Sequence, residues 1–132
     1  MKKFLVFAFL AFAALGAHAQ NNKGDTIKQY YFVLLLSGPN RGQDSAAAAK
    51  IQDGHMANIR RLYAAGKLKV AGPFDDENSN WRGLFIFDCN NKEELEGLLK
   101  TDPAIAAGRL TYEIHTWYTL ASGSFKPGRP TE

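Results

Sequence analysis

The sequence has few of the residues that build disulfides, metal sites and membrane spans. It contains one cysteine among 132 residues, so no intramolecular disulfide can form, even in an oxidising compartment. We interpret that residue, Cys89, as a small apolar side chain at a strand end; the alternative is a reactive or intermolecular thiol. A glycine-rich phosphate loop and the motifs of serine or cysteine nucleophiles are also absent.

The longest apolar run is too short to span a bilayer. Phe4 to Gly16 gives 13 residues, against the ~20 that a membrane helix needs. Lys2 and Lys3 precede this run, and Ala17-His18-Ala19 follows it with small residues at the positions that a signal peptidase reads. We therefore expect a signal peptide over residues 1–19, cleaved after Ala19, and export to the periplasm or the medium. The alternative is an uncleaved membrane anchor; after cleavage no membrane association is expected.

Little net charge remains once the signal peptide is removed. The whole chain carries +3, and residues 1–19 contribute two lysines and no acids, which leaves a charge of about +1. So weak a field excludes the basic surface of a nucleic-acid-binding protein. We expect a polar leader at 20–28, one domain at 29–120 and a disordered tail, rich in glycine, proline and serine, at 121–132.

Hydrophobic patterns and turn residues predict four strands. They span Tyr30–Leu36, Leu68–Ala71, Trp81–Asp88 and Leu110–Thr119. Apolar side chains point to both faces of these strands, so both faces of the resulting sheet should be covered.

Capping residues predict two main helices. The first starts near Asp44 or Ser45 and ends near Ala65, with Gly54 inside it suggesting a kink or a late start. The second opens on a capping box of Asn91 and Glu94 and closes at Asp102-Pro103. Residues 104–108 add one further turn.

The resulting order, β-α-β-β-α-β, predicts an α+β ferredoxin-like fold. Its right-handed crossovers place both helices on one face of a four-stranded antiparallel sheet. The other face would then expose large apolar side chains, which a monomer rarely tolerates. We therefore expect this face to pack on a copy of itself in a twofold homodimer.

A histidine lies within the apolar stripe of the first helix. At 100° per residue the stripe spans a sector of about 80° and comprises Ala48, Ile51, His55, Ile59 and Leu62. A buried imidazole without a hydrogen-bond partner would cost roughly 1–3 kcal/mol. His55 should therefore have a polar partner.

Chain topology brings candidate partners to one end of the sheet. The second strand runs parallel to the first and the second helix runs back, so both finish at the end where the first helix begins. The residues expected there are Gly72, Pro73, Asp75, Arg82, Asp102 and Arg109. They predict a polar pocket that holds an imidazole, a carboxylate and guanidinium groups. Either Asp102 or Asp75 could be the partner of His55.

With these residues in view, the sequence resembles the YCII-related (YciI-like) family from Tyr30 to Tyr118. The residues that carry the resemblance are His55, Gly66-Lys67-Leu68, Ala71-Gly72-Pro73-Phe74, Arg82-Gly83-Leu84-Phe85-Ile86-Phe87, Asp102-Pro103-Ala104, Ala107-Gly108-Arg109-Leu110 and His115 to Tyr118. The resemblance implies a dimeric α+β barrel and a histidine-aspartate pair, which falls on His55 and Asp102. A related branch includes chloromuconolactone dehalogenase, similar in fold to muconolactone isomerase, which implies acid-base chemistry on small organic acids or lactones.

Two functions fit these observations. In the first, Asp102 orients His55, which moves a proton on a small substrate whose carboxylate is held by Arg82 or Arg109. In the second, a non-catalytic dimer binds a small ligand in the same pocket, and His55 serves stability alone. The sequence by itself does not decide whether the protein is an enzyme.

No metal or other cofactor is expected. His115 lies near Glu113 on the last predicted strand, but two histidines on separate elements fall short of a metal-binding set. The acidic loop Asp75-Asp76-Glu77 is interpreted as a solvated turn; the alternative is a cation site.

Overall fold

The computed structural model describes residues 27–120; the predicted signal peptide and tail, and residues 20–26 of the predicted leader, lie outside this range. The strands are β1 (Ile27–Ser37), β2 (Leu68–Pro73), β3 (Trp81–Phe87) and β4 (Leu110–Leu120). The helices are α1 (Ser45–Ala64), α2 (Lys92–Leu99) and the short α3 (Pro103–Ala106). Within the described range, no helix has the length and hydrophobicity required to cross a membrane.

The four strands form one sheet in the order β2-β3-β1-β4, and every neighbouring pair is antiparallel. This order confirms the predicted α+β ferredoxin-like fold. Because β1 and β2 both run antiparallel to β3, they run parallel to each other and α1 is the crossover between them. Ser37 at the end of β1 pairs with Leu110 at the start of β4. We call this end of the sheet, which also holds Pro73, the rim.

One face of the sheet carries the hydrophobic core. Alternate residues of the two central strands point towards α1 and α2 and pack with leucines of both helices. These core residues are Tyr31, Val33, Leu35, Phe85, Phe87, Leu62, Leu68, Leu95 and Leu99. We call this the covered face.

The opposite, open face presents the other residues of the same strands. Strand register places Phe32 beside Ile86 and His115, and Leu34 beside Leu84 and Glu113. No element among residues 27–120 packs over this face. The apolar character of both faces therefore follows the predicted pattern, with one face left uncovered in a single chain.

The helix α1 runs without a break from Ser45 to Ala64, so the suggested late start just before His55 is wrong. Asp44 caps its first turn by accepting a hydrogen bond from the Ala47 backbone N–H at 2.8 Å. Gly66 follows its end in the left-handed conformation, with φ of 72°, as glycine permits. Gly54 is needed for packing: a Cβ there would lie 2.9 Å from Cγ of Pro103, so glycine allows α1 to approach α3.

Several boundaries differ from those expected. β1 begins at Ile27, inside the segment assigned to a polar leader, and β2 extends beyond Ala71 to Pro73. α2 ends at Leu99 rather than at Asp102, which instead caps α3. Longer strand pairing accounts for the first two differences, because Ile27 pairs with Leu120 and Pro73 with Gly83.

The start of α2 follows the predicted cap in part. The Asn91 side chain accepts a hydrogen bond from the Glu94 backbone N–H at 2.8 Å. The Glu94 carboxylate accepts from the backbone N–H of Asn90 and pairs with Lys67 at 2.6 Å. These contacts hold the pKa of Glu94 below its usual value, with the Lys67 hydrogen bond as the largest cause. The reciprocal half of the capping box thus lies one residue earlier than predicted.

Candidate active site

His55 lies on the buried side of α1, above the covered face of the sheet. It is one of three buried residues of this helix, together with Asn58 and Leu62. Its ring stacks on Phe85 of β3, with 6.0 Å between ring centroids and 26° between planes. The apolar stripe predicted from the sequence therefore faces the core and carries the imidazole with it.

Asp102 is the partner of His55. The Nδ1 atom of His55 lies 2.7 Å from Oδ2 of Asp102, whose side chain is only 1% exposed. The other carboxylate oxygen, Oδ1, accepts a hydrogen bond from the Ala104 backbone N–H at 2.8 Å, which caps α3. Both oxygens are thus engaged, and the carboxylate has one fixed orientation towards the imidazole.

This contact determines which nitrogen of His55 is available for chemistry. An ionised carboxylate can only accept hydrogen bonds, so the Nδ1 hydrogen points to Asp102 and the neutral ring has its lone pair on Nε2. Within residues 27–120, no residue forms a hydrogen bond with Nε2. Every fully buried side-chain nitrogen or oxygen in this range has a hydrogen-bond partner, so Nε2 is not fully buried. Nε2 therefore reaches solvent-accessible space, which at this residue is a cavity.

The cavity lies between α1, the rim end of the sheet and the start of β4, with a volume of about 440 Å³. Its apolar wall includes Leu35, Ile51, Ile59 and Phe85. Gly72 and Pro73 form part of the wall at the end of β2, as predicted. A volume of this size suits a small organic molecule.

Three arginines line the same cavity. Arg82 and Arg109 were predicted there, whereas Arg41, from the loop between β1 and α1, was not. The sequence feature that could have predicted Arg41 in the cavity is topological, because the loop that carries Arg41 leaves β1 at the rim. Asp75 is exposed in the turn after β2 and does not line the cavity. The structure thus places Asp75 outside the pocket in which it was predicted, and of the two candidate partners Asp102 is the one in contact with His55.

A second polar network, not predicted from the sequence, lies beside the pair. Asn58 is buried one turn after His55, and its side-chain oxygen accepts hydrogen bonds from Arg61 at 2.6 Å and from the Thr101 hydroxyl at 3.1 Å. Arg61, an exposed residue of α1, also donates to the Thr101 hydroxyl at 2.8 Å. Because Thr101 precedes Asp102, this network ties α1 to the segment that carries the carboxylate.

The remaining candidates lie apart from this cavity. Burial raises the pKa of the Cys89 thiol to about 11, so the thiolate needed for nucleophilic attack is scarce at neutral pH. His115 and Glu113 lie on the open face, 3.6 Å apart and exposed. Within residues 27–120, no group of three or more His, Cys, Asp or Glu side chains could hold a metal ion.

Comparisons with known proteins agree with this architecture. A family model for the YCII-related domain matches residues 30–118. The chain is similar to the uncharacterised protein YjpA of Bacillus subtilis (strain 168), with 28% identity over 87 residues, covering 66% of this chain and 92% of that protein.

A solved structure of 5-chloro-2-hydroxyhydroquinone dehydrochlorinase from Burkholderia phenoliruptrix AC1100, in complex with 2,5-dihydroxybenzoquinone, is also similar. It matches with a TM-score of 0.49 and 19% identity, over 66% of this chain and 92% of that chain. A likeness at this level does not bear on the chemistry of the present chain.

Proposed function

This chain belongs to the YCII-related domain family, and from that premise and the geometry of the cavity we propose that it is an enzyme that moves protons on a small organic acid or lactone. One observation carries the proposal: a buried carboxylate fixes one nitrogen of His55, while the other nitrogen reaches a cavity of small-molecule size. A histidine with these two environments has the arrangement of a general acid-base catalyst.

The proposed reaction begins with removal of a proton from carbon. Nε2 of His55 takes a proton from a carbon next to a carbonyl group, and the electron pair of the C–H bond passes to the carbonyl oxygen as an enolate. Asp102 stabilises the imidazolium that forms and holds the ring in place. The imidazolium then returns the proton to another carbon, which isomerises the substrate, or the enolate expels a leaving group.

The charges around the cavity support this chemistry. An enolate concentrates negative charge on oxygen, and fixed positive groups stabilise such charge more strongly in a partly enclosed site than in water. Arg41, Arg82 and Arg109 are cationic groups of the cavity wall. The apolar wall formed by Ile51, Ile59 and Phe85 would limit the access of water to the reacting carbon.

We also propose that the protein works as a homodimer through its open face. The open face presents Phe32 and Leu84, which are half-buried in a single chain, and Trp117, which is 43% exposed, around Leu34 and Ile86, each only 8% exposed. No described element covers this face. Burial of such a face between two copies would remove apolar surface from water, at roughly 25 cal/mol per Å². A twofold axis would bring the same patch of each copy together.

Proton abstraction can be tested without knowing the physiological reaction. The protein is incubated in D₂O with a panel of carboxymethyl butenolides and unsaturated dicarboxylic acids, and deuterium incorporation is followed by NMR. We expect the wild-type protein to exchange the hydrogen next to a carbonyl group in at least one compound. His55→Gln should slow that exchange by about 10²-fold or more, the usual contribution of a general base.

Lys50→Gln is the control, because Lys50 is an exposed residue of α1 that lies outside both the cavity and the open face. It should leave the exchange rate unchanged. Thermal unfolding of each variant establishes that the fold is intact. The proposal is wrong if no compound exchanges, or if His55→Gln exchanges as fast as the wild-type protein.

The alternative, a ligand-binding protein without catalysis, uses the same cavity. Its supporting observation is the set of three arginines, which can hold an anion without any proton transfer. In that case a compound of the panel would bind, as measured by calorimetry, and neither the wild-type protein nor His55→Gln would catalyse exchange. Exchange by the wild-type protein therefore separates the two functions.

A further inference from the structure

The guanidinium groups at the cavity carry charge that the protein does not neutralise. Arg41, Arg82 and Arg109 line the cavity, and no aspartate or glutamate lines it. Among the salt bridges within residues 27–120, none involves an arginine. Like charges gathered at one cavity repel one another, and a bound anion relieves that repulsion.

The contacts that these arginines do make are to neutral oxygen atoms. Arg41 donates to the backbone carbonyl of Arg109 at 3.2 Å, and Arg109 donates to the side-chain oxygen of Gln43 at 2.7 Å. Gln43 is itself fixed, because its amide nitrogen donates to the carbonyl of Asn40 at 3.1 Å. Two guanidinium groups are therefore oriented in advance while their charge stays available, and such preorganisation favours binding.

Arg82 occupies a β-bulge. Leu35 pairs with Gly83 and Leu36 pairs with Trp81, so Arg82 is the extra residue of β3 with no partner in β1. A bulge can redirect a side chain relative to the regular alternation of a strand. No hydrogen bond or ion pair joins the Arg82 side chain to another residue of the described range, so its five donors are available to a ligand.

We infer that the cavity binds a small molecule with a carboxylate held by Arg41, Arg82 and Arg109 and an apolar body against Ile51, Ile59 and Phe85. The inference deepens the proposed function and rests on it for the identification of the ligand as a substrate. Arginine suits this role because its planar group can donate two parallel hydrogen bonds to one carboxylate. The apolar wall then places the rest of the ligand beside Nε2 of His55.

The surroundings favour a carboxylate over a phosphate. Phosphate sites commonly use the free backbone N–H groups at a helix N-terminus or in a glycine-rich loop. The side chains of Asp44 and Asp102 cap α1 and α3 and bond backbone N–H groups of their first turns. Carboxylates of the chain itself thus occupy part of these N-termini, which leaves fewer free backbone N–H groups for a phosphate.

A pair of compounds of nearly identical shape tests the inference. Cinnamate carries a carboxylate and an apolar body, and cinnamamide replaces the carboxylate by a neutral amide. Calorimetry should show cinnamate binding with a dissociation constant at least about tenfold lower than that of cinnamamide. Added potassium chloride should weaken the binding of cinnamate and leave that of cinnamamide unchanged, because only the first contact is ionic.

Variants identify the groups responsible. Arg82→Gln and Arg41→Gln should each weaken cinnamate binding by about tenfold, and Arg82→Lys should recover part of the loss, because it restores charge without the planar fork. Arg60→Gln is the control, since Arg60 is an exposed arginine of α1 that does not line the cavity. It should bind cinnamate as the wild-type protein does.

Four results would overturn the inference. They are equal affinity for the two compounds, no binding of cinnamate at millimolar concentration, wild-type affinity in both Arg41→Gln and Arg82→Gln, and tighter binding of phenyl phosphate than of cinnamate. His55→Gln separates this inference from the proposed function. Selective cinnamate binding in that variant supports the anion site, whatever the deuterium-exchange assay shows.

Discussion

Each face of the sheet carries a histidine beside a carboxylate, and the two pairs differ in distance and in burial. On the covered side, His55 and Asp102 lie 2.7 Å apart, with side chains 11% and 1% exposed. On the open face, His115 and Glu113 lie 3.6 Å apart, with side chains 58% and 55% exposed. The residue types are nearly the same, so the difference shows what burial contributes to such a pair.

Burial contributes a fixed geometry. Asp102 has both oxygens engaged, by His55 and by the Ala104 N–H, whereas Glu113 makes no side-chain hydrogen bond within residues 27–120. Exposed ion pairs usually contribute no more than about 1 kcal/mol, because water and salt compete with them. The Asp102 side chain, 1% exposed, is shielded from that competition, so we expect its contact with the imidazole to be retained.

We expect the largest difference between the two pairs when the carboxylate of each pair is replaced by an amide. An asparagine in Asp102→Asn can still accept from the Ala104 N–H, but its amide group presents donors to His55 and no longer holds the hydrogen on Nδ1. We expect deuterium exchange to slow by about 10²-fold and the free energy of unfolding to fall by about 1–3 kcal/mol. NMR exchange assays and urea denaturation measure the two effects.

Glu113→Gln is the matched variant on the open face. In a single chain the Glu113 side chain is 55% exposed, so in the monomer this change should alter the free energy of unfolding by less than about 0.5 kcal/mol. It should leave the exchange rate unchanged, because Glu113 lies outside the cavity. Equal losses of activity in Asp102→Asn and Glu113→Gln would contradict the distinction between the two pairs.

The difference between the two histidine-carboxylate pairs could be predicted in part from the sequence. The buried side of α1 is predicted by its apolar residues Ile51, Ile59 and Leu62, and His55 lies on the same side. The order of elements places Asp102 at the same end of the sheet. Long, regular elements with a clear period are the features that a single sequence specifies best. On these features alone, Asp75 and Asp102 remain alternative partners of His55, and the family resemblance, rather than periodicity, points to Asp102.

Other parts of the site depend on details that periodicity does not encode. Arg82 sits at a bulge, which arises from the register between β1 and β3, and register is not visible in either strand alone. The contacts of Arg41 with Arg109 and of Asn58 with Thr101 join residues far apart in the chain. Asp75 lies two residues beyond Pro73, and this short step takes it out of the cavity wall.

A charge placed on each side of the molecule tests the proposed dimer. Trp117 lies on the open face beside Tyr30, whereas Tyr63 is an exposed aromatic residue of α1. We expect the wild-type protein to sediment as a dimer and Trp117→Glu to raise the dimer dissociation constant by at least about tenfold, since about 1.4 kcal/mol suffices for that factor.

Tyr63→Glu should leave the dimer intact, because the covered side of each copy faces away from the proposed interface. Sedimentation velocity over a range of micromolar concentrations distinguishes the two variants. A wild-type protein that stays monomeric, or a Trp117→Glu variant that dimerises as the wild-type protein does, would refute the interface.

Two helical glycines give the smallest expected contrast, between a packed and a solvated position. A methyl group added at Gly97 of α2 would meet no other element within 4 Å, whereas at Gly54 of α1 the methyl carbon would lie 2.9 Å from Pro103. Gly97→Ala should stabilise the protein by about 0.5–1 kcal/mol through helix propensity. Gly54→Ala has the same gain but must displace Pro103, at a cost of about 1–3 kcal/mol, so its net effect should be destabilising by about 1 kcal/mol. Urea denaturation measures both changes.

Because Pro103 follows Asp102, a displaced α3 should also slow deuterium exchange in Gly54→Ala. Equal stabilisation by both alanines would mean that α1 and α3 do not pack closely.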